Sequence, residues 1–147
     1  MSEQLDSKPG TAYWIIAAVL LVWNLIGLLF YYQQSTLTPE IMMDVGLTQQ
    51  QIAHITNTPA WGHSGYAIAV NAGVLGAIFL LLRKTWAIPM FVLSLVGVLV
   101  QDLDAFVMRD ALAAWGTGGL VLPIMVILIC GFEIWYSRAA KAKNWLS

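Results

Sequence analysis

The stretch VGVLVQDLDAFVMRD, Val96 to Asp110, carries Gln101, Asp102 and Asp104 at the end of a long apolar run, and His63 stands just inside another. Aspartate beside histidine is a pairing that exchanges protons or holds a cation, because the carboxylate favours the imidazolium. Two amides, Asn24 and Asn71, interrupt further apolar runs. An amide there either bonds a neighbouring helix or contacts a solute. Which chemistry results depends on the depth and the face at which helices hold these groups.

Composition names the solvent. The chain is 59% hydrophobic and 10% charged, with a mean hydropathy of +0.74, whereas an ordinary soluble domain is about 25% charged. The fold class is therefore an all-α integral membrane protein, with the lipid bilayer as its first partner. A net charge of −1 leaves no basic footprint for nucleic acid. Cys130 is the one cysteine, which excludes a disulfide within the chain. Glu3 and Asp6 against Lys8 do not make the positive start of a secretory signal, and the run that follows reads as a retained anchor.

A bilayer core about 30 Å thick needs about 20 helical residues. Four stretches qualify, at about 11–32, 60–82, 86–108 and 117–137, and they make one membrane domain, a four-helix bundle. Lys8, Arg83, Lys84, Arg138, Lys141 and Lys143 fall on one side of this zigzag and Arg109 alone on the other. By the positive-inside rule both termini are cytoplasmic. In the outer connection, 33–59, Thr38 before Pro39 and Glu40 reads as a helix cap, and Thr48 as the cap of a second short helix through Ile55. Ile41, Met42, Ile52 and Ile55 are expected to face the bundle beneath.

Depth follows from a rise of about 1.5 Å per residue. Asp102 and Asp104 stand about 27 and 30 Å from Lys84, near the outer interface. They are either the hydrated end of a span, continued by Arg109 and Asp110, or working groups. Ser94, Gly97, Gln101 and Asp104 recur at spacings of three and four, a small and polar stripe that faces protein. That stripe can line an outward cleft, with His63 at similar depth pairing to Asp104 or Asp102. Asn24 lies about 16 Å beyond Tyr13 and Asn71 about 15 Å beyond Trp61, so both reach mid-membrane. They are expected to hydrogen-bond each other, or to meet a solute beside Trp23. Glu133 counts to the inner interface, where Arg83, Lys84 and Arg138 offer an ion pair, and Pro123 is expected to kink the fourth span.

No metal-ligand cluster, CxxC, phosphate loop or nucleophile elbow occurs, so no metal, cofactor or catalytic activity is expected. The stretch TPAWGHSGYAIAVNAGVLGAIFLLLRKTWAIPMFVLSLVGVLVQ, together with WNLIG and the ending KAKNWLS, resembles a group of small four-span bacterial inner-membrane proteins loosely labelled sugar transporters. The resemblance implies a bacterial cytoplasmic membrane location. The expected function is binding or passage of a small polar solute, with self-association into a dimer or higher oligomer. The alternative is a non-catalytic accessory subunit of a larger membrane complex, or a lipid-binding bundle.

Overall fold

A computed structural model describes residues 8–147; Glu3 and Asp6, on which the reading of the chain's start rested, lie outside them. The described chain is helical: α1 (Thr11–Thr36), α2 (Pro39–Asp44), α3 (Gln49–Thr56), α4 (Ala60–Leu81), α5 (Ala87–Asp102), α6 (Ala111–Trp115) and α7 (Val121–Ala142). A π-helical turn, Leu103–Met108, prolongs α5, and a 3-10 turn, Thr117–Leu120, precedes α7. Four of these segments are long and apolar enough to cross a membrane: Thr11–Thr36, Ala60–Leu81, Ala87–Met108 and Thr117–Ala142. Both described chain ends lie at one end of the bundle, and α2, α3 and α6 lie at the other.

Glycine sets the tightest contact, between α4 and α5. A Cβ on Gly97 would come 2.6 Å from the Ala69 nitrogen and the Gly65 carbonyl oxygen, which are backbone atoms and cannot rotate away. Gly76 likewise lies flat against the Phe91 ring. Lipid supplies no hydrophobic drive between helices, so close van der Waals approach through small residues supplies the attraction. Helix α1 packs on an adjoining face of α4, where Gly73 lies against both Asn24 and Ser94, and α7 packs on α5. Near the chain ends, the buried Tyr13 hydroxyl donates to the Leu80 carbonyl, and its ring stacks on Tyr136 at 6.1 Å and meets Trp145 edge-on.

The expected caps form. Thr38 Oγ1 accepts from the Ile41 amide at 3.4 Å. Thr48 accepts from the Gln51 amide at 3.2 Å while Gln51 returns its side-chain oxygen to the Thr48 amide at 3.1 Å. This reciprocal box holds two amides that the first turn leaves without partners. Met42 and Ile52 are buried and Ile55 half-buried, but Ile41 faces outward at 45% exposure, because one turn of α2 presents a single face to the bundle.

Two boundaries differ from expectation. Helix α1 continues to Thr36, and α7 to Ala142. Pro123 produces no mid-helix kink, since α7 starts only at Val121 and proline in a first turn displaces no hydrogen bond. The bend falls earlier, where Asp110 and Gly116 take positive φ of 49° and 68° around α6.

Candidate functional site

The polar residues divide among three places. At the end of the bundle that carries α2 and α3, a cavity of about 370 Å³ opens between α4, the end of α5 and the start of α7. His63, Gln101 and Asp102 all line it, together with Tyr66, Phe106 and Trp115. Among the described residues the Asp102 side chain has no hydrogen-bond partner, and its Oδ2 is buried without a donor. A second cavity of about 300 Å³, lined by Gln50, Asn57 and Asp110, adjoins the first at His54 and Arg109.

Asp104 is not part of a free cleft. It is 1% exposed, and Arg109 grips its Oδ2 through Nε at 2.8 Å and Nη2 at 2.5 Å. The third arm of the guanidinium, Nη1, donates to the His54 carbonyl and so ties α3 to the end of α5. The expected pairing of His63 with Asp104 is therefore replaced by an arginine clamp, and His63 bonds neither aspartate. The reason is local geometry. In an α-helix residues five apart do not face each other, but the π turn, closed by the Arg109 amide on the Asp104 carbonyl at 3.0 Å, stacks them. Gly62 makes the clamp possible, since a Cβ there would lie 2.5 Å from Asp104 Oδ2. Burial and the adjacent Arg109 charge hold the His54 imidazole below its usual pKa of 6.5.

The stripe Ser94, Gly97, Asp104 does face protein, namely α4, where it closes a seam instead of lining an open route. Gln101 sits at the seam's edge and reaches the cavity.

Halfway down the bundle, Asn24 is buried and bonds Glu133, not Asn71: its Nδ2 donates to Glu133 Oε1 at 2.8 Å and to the Leu20 carbonyl at 2.8 Å. Gly73 leaves room for the Asn24 amide, and Ser94 Oγ, close by, donates to the Ala69 carbonyl at 2.6 Å. All four long helices thus contribute to one polar cluster. Asn71 lies on the outward face of α4 and donates only to its own Ala67 carbonyl at 2.8 Å. At about 100° per residue Asn71 points about 160° away from Gly73, the residue that meets Asn24.

Glu133 also departs from expectation. It makes no interfacial ion pair; it is 1% exposed and its Oε2 has no partner. Arg83 instead donates to the Trp145 carbonyl at 2.7 Å, and Arg138 is exposed. Counting from Trp115 as one continuous helix placed Glu133 too low, because the chain from Gly116 to Leu120 is a bend and a 3-10 turn. The signal that finds it is the spacing Cys130, Glu133, Ser137, Ala140, a buried stripe of the kind visible in α5. Among the described residues no three His, Cys, Asp or Glu side chains converge as a metal site.

No family model, no curated protein and no solved structure matches this chain. Its chemistry is read from its own geometry.

Proposed function

We propose that this chain is a multi-pass protein of the bacterial cytoplasmic membrane, with both termini inside, that binds or passes a small polar solute at the outward end of its bundle without reacting with it. Six of its seven Lys and Arg sit at the end bearing the termini, which supports that orientation. The observation that carries the solute reading is the cavity of about 370 Å³ with an unpaired Asp102 on its wall. Pockets for small molecules are of this size, mainly apolar with a few convergent polar groups. Asp104, clamped by Arg109, is left to hold the rim in shape.

One observation favours the accessory reading. Asn71 presents an amide at mid-depth on a face that meets lipid or another protein, and a polar group there is stabilised by a partner helix. A second copy inserted the same way would set two such amides at equal depth, which supports a dimer.

Native mass spectrometry of the full chain released from lipid nanodiscs tests both. A defined oligomer that retains a polar small molecule, lost in Asp102→Asn, supports solute binding. A species that holds only lipid, or one found only within a larger complex, supports the accessory role and overturns the first reading.

A further inference from the structure

The charges around the cavity do not balance, and the imbalance names a solute class. Arg109 is the one basic residue there, and all three arms of its guanidinium are already engaged by Asp104 and the His54 carbonyl. Asp102 faces the cavity with no basic partner, and Asp110 adds a second carboxylate on the adjoining cavity. Counting the histidines as neutral at pH 7, the wall is net negative. A carboxylate removed from bulk water in this way is stabilised by a cation.

The walls fit the same class. Tyr66, Phe106 and Trp115 line the cavity that Asp102 faces. Tyr66 is held in place edge-on against Tyr31, with ring centroids 4.9 Å apart. Aromatic faces attract alkylammonium groups through their quadrupole, and several rings about one carboxylate are a recurring way to hold a quaternary or protonated amine. A neutral sugar could be met by Gln34, His63 and Gln101, but it would leave the charge of Asp102 without a counter-charge. An anion would meet Asp102 with no free arginine to offset it.

We infer that the solute this cavity accommodates is a small organic cation, an alkylammonium or amine, held by Asp102 and the aromatic side chains of Tyr66, Phe106 and Trp115. The inference rests on the solute-binding reading and refines it.

The test uses the full chain in nanodiscs and isothermal titration with three small polar probes of different charge: choline, a neutral hexose and gluconate. Choline is expected to bind, roughly tenfold or more weakly in Asp102→Asn and several-fold more weakly in Phe106→Leu. The hexose and gluconate are expected to bind far more weakly than choline. Thermal unfolding of each variant shows whether it is folded, and Asp102→Asn removes no bond that holds the bundle. Hexose or gluconate binding that equals or exceeds choline binding, or choline binding unchanged in both variants, overturns the cation assignment. In the first case the solute-binding reading survives. Binding of none of the three probes to folded wild-type protein overturns both.

Discussion

The two polar regions of this bundle use similar residues to opposite ends. At the α2 and α3 end, the helices diverge around open volume and leave Asp102 without a partner. Halfway down, the same helices close on Asn24, Ser94 and Glu133, with Gly73 set against the Asn24 amide and Gly97 letting the α4 and α5 backbones meet. A polar side chain in this bundle is therefore tied up or left unpaired according to the space around it, not according to its type. Asp104 and Asp102 make the point within one turn, the first clamped and the second free.

That contrast breaks first at the seam. Gly97→Leu drives a side chain into the Ala69 and Gly65 backbone, and overpacking of this kind is expected to cost about 3 kcal/mol or more. Loss of the monodisperse folded species in detergent is the expected result; a thermal midpoint within a few degrees of wild type would show that α4 and α5 pack less tightly than described.

The clamp comes next. Arg109→Leu leaves Asp104 buried and unpaired, and removal of one partner from a buried pair costs about 3 kcal/mol, somewhat less here because Arg109 keeps contact with water. Hydrogen exchange over α3 is expected to accelerate, and adding Asp104→Leu to recover much of the stability. Unchanged exchange in the single variant would mean that α3 is held by other contacts.

Asn24→Leu removes the one donor to the Glu133 carboxylate among the described residues, with an expected loss of about 2 kcal/mol. Because Asn24, Ser94 and Glu133 do not line the cavity, choline affinity in the variant is expected to stay within about twofold. A large loss of affinity with stability intact would merge the two regions into one pathway.

The smallest effect is set by pH. His54 holds its proton less well when α3 is docked than when it is free, so the undocked state binds more protons. Docking has its full stability above the unperturbed value of about 6.5 and loses it as pH falls below that value. Protection of α3, measured relative to α4, is expected to fall between neutral pH and about pH 5, and His54→Gln to abolish the dependence. A wild-type profile that is flat across this range would place His54 in water.

Much of this was legible without coordinates. Length and hydropathy yield the four spans, and Thr38-Pro39 and Thr48 announce the two short helices. Rise per residue gives depth for Asn24, Asn71 and Asp102 wherever the helix is unbroken. It failed for Glu133, because a bend and a 3-10 turn interrupt the count, and the pairing of Arg109 with Asp104 was hidden because a π turn changes which residues stack.

The sequence by itself determined the apolar character and number of the spans and, where the helix is unbroken, the distance between residues along each, since these follow from transfer free energy and helical rise along a single chain. Tertiary structure alone decided azimuth: that Asn24 meets Glu133 and not Asn71, that Arg109 takes Asp104 from His63, and that Asp102 opens onto empty volume. Apolar helices surrounded by lipid carry almost no signal for which face turns inward, because leucine is equally at home against lipid and against protein. The faces are chosen by where glycine lets two backbones meet, and that is a property of pairs of helices.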